Sequence, residues 1–172
     1  MIVWLNGTYG AGKTTTARLL KDALPARVFD SEHIGYLLRG IIGDIPHRDF
    51  KELDPWRGLT VETARQVLEY AGGTLVIPQT VLQHQYWTEL ADGFTKANIP
   101  LRAFTLHTDA DTFRHRVEHD ADEPTAKQWR LDHREDYETA LDTWMRDATE
   151  LIDTTHRTPD QVAAHIKALL AE

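Results

Sequence analysis

Gly7-Thr-Tyr-Gly-Ala-Gly12-Lys13-Thr14 is the stretch that most restricts what this chain can become. It matches G-x-x-x-x-G-K-[ST] in full. It stands between an apolar run, Met1 to Asn6, and a helical pattern, Lys13 to Leu24, stopped by Pro25. Glycines let successive backbone N–H groups curl toward one point, and the helix that follows aims the positive end of its dipole there. The ordinary occupant of such a point is the phosphate chain of a nucleotide. Lys13 then reaches the β and γ phosphates, and the Thr14 hydroxyl ligates Mg²⁺. The expected nucleotide site is Gly7 to Thr15, with Gly7, Gly10, Gly12, Lys13, Thr14 and Thr15 as binding residues and ATP·Mg²⁺ as ligand.

The rest of the chain has the pattern that motif requires. The unbroken apolarity of Met1 to Asn6 suits a strand buried on both faces. Further strand candidates are Arg27 to Asp30, Thr74 to Pro78, Leu101 to His107 and Glu150 to Asp153. Helical patterns lie between them: Ser31 to Arg39 with Gly40 as a stop, Trp56 to Ala71, residues 84–97, Asp109 to Glu118, and a long helix from Lys127 to Ala148. Thr158-Pro159-Asp160-Gln161 reads as a cap, an N1 proline and a capping box opening the last helix. Alternation of strand and helix predicts a three-layer α/β fold, a five-stranded parallel sheet with the first strand central. No linker or repeat divides the 172 residues, so a single domain spanning 1–172 is expected, with a lid around 115–134 where Asp120 to Thr125 form a polar break.

Composition narrows function. The absence of cysteine excludes disulfide scaffolds, zinc fingers and thiol catalysis. A net charge of -8 does not advertise a nucleic-acid partner. No apolar run approaches the ~20 residues of a spanning helix. The start carries no signal-peptide pattern, and a cytoplasmic location is expected. His115 to His119 fits H-x-x-E-H, a zinc-peptidase pattern, but it ends a short charge-rich helix and reads better as a solvated helix end.

The class of nucleotide chemistry turns on Asp30. The strand Leu75 to Pro78 runs into Gln79, not into the metal-holding Asp of motor and signalling NTPases. Val28-Phe29-Asp30 does end in an acid. At the carboxyl end of a strand, Asp30 lies across from the phosphate loop, where an acceptor hydroxyl must sit. A carboxylate there accepts or orients the hydroxyl proton. Lys13 and Asp30 are therefore the catalytic candidates, although Asp30 also suits a helix N-cap beside Ser31.

The start MIVWLNGTYGAGKTTTARLL, then VFDSEHIGYLLR, DPWRGLT, LVIPQTV, FTLHTDADTFRHRV and a late I-D-T-T resemble, in the same order, the tunicamycin-resistance protein family, and more broadly the small P-loop kinases. The resemblance implies a P-loop NTPase fold of the small-kinase type with sheet order 2-3-1-4-5, ATP binding and resistance to a nucleoside antibiotic. It implies Gly7, Gly12, Lys13 and Thr14 as nucleotide ligands, Asp30 as base, and lid arginines drawn from Arg114, Arg116, Arg130 and Arg134. The function it suggests is phosphotransfer from ATP to a hydroxyl of tunicamycin or a similar nucleoside or sugar compound. The alternatives are ATP-dependent sequestration of the drug and small-metabolite kinase activity. The expected acceptor side is Ile34 to Ile42, Trp56, Leu59 and Tyr86-Trp87, with Gln79 and Thr80 as polar partners. Apolar residues at that spacing also suit a core.

Overall fold

The computed structural model describes residues 1–119 and 127–171, so the expected polar break at 120–125 lies outside the described residues. Five parallel strands form one sheet in the order β2-β3-β1-β4-β5. They are β1 (Ile2–Gly7), β2 (Ala26–Val28), β3 (Thr74–Pro78), β4 (Leu101–His107) and β5 (Glu150–Asp153). The helices are α1 (Lys13–Ala23), α2 (Glu32–Ile42), α3 (Asp54–Ala71), α4 (His84–Lys96), α5 (Ala110–Glu118), α6 (Lys127–Asp132), α7 (Arg134–Ala140), α8 (Arg146–Ala148) and α9 (Pro159–Leu169).

β1 is central and fully buried, which accounts for its lack of alternation. Alternate residues nonetheless serve two cores. Ile2 and Trp4 join the side chains of α2, α3, α4 and α7 on one face, including Trp56, Phe94 and Tyr137. Val3 and Leu5 join Leu20 of α1 and Val162 and Ile166 of α9 on the other. Burial of such side chains contributes about 1.5–3 kcal/mol each, and it fixes the pleat of β1 against both neighbours. Trp4 pairs in register with Ile77 of β3 and Ala103 of β4. The loop after β1 consequently emerges between the carboxyl ends of β3 and β4, where a doubly wound sheet binds ligands.

Gly7 pays for that placement in backbone freedom. Its φ is 131°, and a Cβ there would lie 2.3 Å from the Leu106 carbonyl oxygen. Gly7→Ala is expected to cost at least about 1–3 kcal/mol, read as a melting temperature several degrees lower in calorimetry. An unchanged melting temperature would contradict the close packing of β1 on β4.

Three local expectations need correcting. Gly40 does not stop α2, which runs on to Ile42; Gly40 lies on an exposed helix face and lacks the positive φ of a terminating glycine. The expected helix from Lys127 to Ala148 is interrupted at His133, and Leu141–Met145 form a π-helical turn. Ala140, Leu141, Trp144 and Met145 of this stretch are all buried in the core. β2 ends at Val28, although the Phe29 N–H still donates to Val76 O at 2.9 Å. The capping box at Thr158 and Gln161 is present with both hydrogen bonds.

Candidate active site

Asn6 fixes the start of the phosphate loop. Its Oδ1 accepts from the N–H groups of Gly7 and Val81, and its Nδ2 donates to Val81 O, each at 2.9 Å. This ties the end of β1 to the segment after β3. Thr80 adds a hydroxyl donated to Gly7 O at 2.9 Å. Gly7, Gly10 and Gly12 all have positive φ, the conformation that turns neighbouring N–H groups inward. Gly10 packs on Val117 of α5, so the loop rests on a second helix as well as on α1.

Lys13 opens α1 and turns back over the loop. Its Nζ donates to Thr8 O at 2.8 Å and Gly7 O at 3.2 Å, and it lies over the Tyr9 ring. Burial, then the positive charges of Lys51 and Arg130, push its ammonium down to about 7, while Glu32 opposes the shift. Tyr9 is also desolvated, and Asp49 and Glu32 raise its hydroxyl further. Trp129 of α6 meets the Tyr9 ring edge-on at 4.6 Å.

A cleft of about 1200 Å³ opens from this loop. Gly10, Gly12, Lys13, Thr14 and Thr15 of the phosphate loop and α1 line it. Asp30, Glu32 and Tyr36 line it as well, with Asp49, Phe50 and Lys51 of the turn between α2 and α3. Arg18, Arg39, Arg48 and Arg130 add basic side chains, so a chain with net charge -8 carries a cation-rich cleft. Low-dielectric walls focus such a field on an incoming anion.

Asp30 is exposed and lines the same cleft as Lys13. Its Oδ1 accepts from the Glu32 N–H at 3.0 Å, so it also holds the first turn of α2. A buried relay fixes that turn. Trp56 Nε1 donates to Ser31 O at 2.9 Å, Ser31 Oγ to Gln79 Oε1 at 3.0 Å, and Trp4 Nε1 to Gln79 O at 3.0 Å.

The arginines flanking the polar break have different surroundings. Arg130 lines the cleft. Arg116 donates twice to Thr154, through Nη1 to Oγ1 at 3.1 Å and Nη2 to the carbonyl at 2.7 Å, pinning the loop after β5. Arg134 donates to Thr108 O and Glu138 and stacks on Phe113 and Tyr137. Arg114 is exposed on α5. On the acceptor side, Ile34, Leu38, Trp56 and Trp87 belong to the core, whereas Tyr36, Leu37, Ile41 and Leu59 are exposed. Gln79 and Thr80 are buried in the relay and the loop anchor, although both border the cleft. Lys51 was invisible to motif reasoning; the alternating charges of Arg48-Asp49-Phe50-Lys51 between two prolines are its one sequence trace.

The residues present suit a nucleotide and a phosphate-borne cation. The glycine cradle is open where Gly12 has no atom within 4 Å of a would-be Cβ, and Thr14 is exposed at the first turn of α1. Among the described residues no group of three His, Asp or Glu side chains could hold a metal alone. A divalent ion held at Thr14 would need phosphate oxygens and water for the rest of its ligands.

This constellation is that of a P-loop nucleotide-binding domain, and the chain matches the AAA domain family model over residues 2–138 and belongs to that family. It is a kinase-like ATP-binding protein related to a tunicamycin-resistance protein. The Deinococcus radiodurans tunicamycin resistance protein superposes with a TM-score of 0.73 at 25% identity, covering 99% of this chain and 95% of that one. A gluconokinase from Sinorhizobium meliloti gives 0.65 at 18% identity, over 98% and 90% of the two chains. The Mycobacterium tuberculosis APS kinase CysC, in complex with AMPPNP and APS, gives 0.61 at 18%, over 99% and 97%. The last two show the fold. Comparison with curated proteins found no match. No described helix is long and apolar enough to cross a membrane.

Proposed function

We propose that the chain is an ATP-dependent phosphotransferase acting on a hydroxyl of tunicamycin or a similar nucleoside or sugar compound, in the cytoplasm, as a single domain of residues 1–172. The observation that carries this reading is that Asp30 and Lys13 line one and the same cleft. Lys13 and the N–H groups of Gly10 to Thr15 hold the β and γ phosphates. Mg²⁺ at Thr14 supplies charge neutralisation across those phosphates. The acceptor oxygen attacks the γ-phosphorus, the new O–P bond forms as the bond to the bridging oxygen of ADP breaks, and Asp30 takes the hydroxyl proton. Arg130, which lines the cleft, adds positive charge there, and Arg114 and Arg116 are the further candidates for phosphate contact. No nucleic-acid partner enters this reading.

One observation favours a second reading, sequestration of the drug without modification. The Asp30 carboxylate already has a structural task at the start of α2. The relative from Deinococcus radiodurans is named for resistance, which retention of the drug also provides. Incubation of tunicamycin with the protein and ATP, followed by mass spectrometry, separates the two. Gain of one phosphate is the expected result; unchanged mass with retained drug would establish sequestration.

A further inference from the structure

The turn between α2 and α3 holds a lysine that nothing in the phosphate-loop motif accounts for. Lys51 lines the same cleft as Lys13, and its side chain is 13% exposed. Three contacts fix it. Its ammonium pairs with Asp49 and also lies over the face of the Phe50 ring, 4.7 Å from Nζ to centroid, and its backbone N–H donates to Asp49 Oδ1 at 2.9 Å. A fourth contact comes from the protein interior. Arg57 of α3, 5% exposed, donates through Nη1 to the Lys51 carbonyl at 2.6 Å. Arg57 is itself held by ion pairs to Asp54 and Glu89 and by the face of Tyr86. A buried guanidinium with this many partners costs desolvation on every side, and that cost is recovered only if the geometry is kept. Its effect is to lock the turn that presents Lys51.

We infer that Lys51 is a second phosphate-binding cation, contacting the γ-phosphoryl group from the acceptor side, and that Arg57 is its positioning residue. Lys13 approaches the phosphates from the loop; Lys51 stands on the wall formed by the acceptor-side turn. An ammonium has three donors, and among the described residues Asp49 is its one ion-pair partner, which leaves donors for the cleft. In-line transfer carries the phosphoryl group away from ADP toward this wall, so a cation here meets charge that moves toward it. Asp49 keeps the ammonium in place before the nucleotide arrives.

This inference rests on the ATP-binding reading, and the test keeps the two apart. ATP and ADP affinities are measured by calorimetry on the whole chain, for wild type, Lys51→Met and Lys51→Arg. Lys51→Met keeps an unbranched side chain of similar length without the charge, and thermal unfolding reports whether the turn survives. The expected result is about a tenfold loss of ATP affinity with ADP affinity unchanged, since a charge-assisted hydrogen bond to the γ-phosphate alone is removed. Lys51→Arg, which keeps the charge, should recover most of the loss. Arg57→Lys should reproduce the ATP-selective loss, with added destabilisation. An ATP-to-ADP affinity ratio equal to wild type in Lys51→Met overturns the assignment. Equal weakening of both nucleotides overturns it too, because that marks a structural turn. A wild-type chain that binds neither nucleotide overturns the functional reading, and this inference falls with it.

Discussion

Asp30→Asn is expected to lower phosphotransfer about 10²–10⁴-fold while leaving ATP affinity unchanged. The substitution is selective for a structural reason. Asp30 Oδ1 accepts the Glu32 N–H at the first turn of α2, and an asparagine Oδ1 can accept the same hydrogen bond. Ser31, Gln79 and Trp56 hold the neighbouring backbone independently of the carboxylate. Fold and cleft therefore persist, and what disappears is the proposed proton acceptor in the cleft that Lys13 also lines. If Asp30 were a cap alone, the pattern would invert: slight destabilisation in thermal unfolding with turnover intact. Sequestration gives a third pattern, with Asp30→Asn still protecting cells from tunicamycin. Steady-state kinetics, calorimetry and a resistance assay on this one variant separate the three. Wild-type turnover in Asp30→Asn would remove the base and leave transfer to positioning and the metal.

The middle of the sheet was legible because its strands announce themselves through burial. Ile2 to Leu5 and Leu75 to Ile77 are apolar on both faces, and that pattern belongs to central parallel strands. The capping box at Thr158 was legible because its partners are three residues apart. Features that depend on distant partners were not. Gly40 stops a helix only if its backbone turns left-handed, and here the exposed helix face asks nothing of it. The π-helical turn at Leu141–Met145 carries Trp144, whose ring partners His84 and Trp87 lie about sixty residues away in sequence, and no local period encodes such a contact. Gln79 and Thr80 suggest ligand contacts by position, yet the relay to Ser31 and the bond to Gly7 employ both side chains. The cleft's excess of cations is likewise assembled from four separate segments, and the composition, acidic overall, conceals it.

Lys13→Met is expected to weaken nucleotide binding on the order of 100-fold, the loss of a buried charge-assisted contact to two phosphates, and to stabilise the empty protein below neutral pH. The two effects have one cause. Burial and the charges of Lys51 and Arg130 bring the Lys13 ammonium down to about 7 in the folded chain, against 10.5 for the ordinary group. The unfolded chain therefore holds more protons between these values, and stability rises with pH across that window. Below about 7 the folded protein carries the full cost of a desolvated cation, and methionine removes it. Phosphate oxygens reverse the balance by favouring the charged form, so ATP binding above about pH 7 must take up a proton. Calorimetry at pH 8 in buffers of different ionisation enthalpy should show uptake of up to about one proton in the wild type and none in Lys13→Met. Thermal unfolding at pH 6 should then place the variant above the wild type. Equal proton uptake in the two proteins would move the titrating group elsewhere in the cleft. A variant less stable than wild type at pH 6 would mean that the bonds to Thr8 and Gly7 stabilise the loop by more than the buried charge costs it.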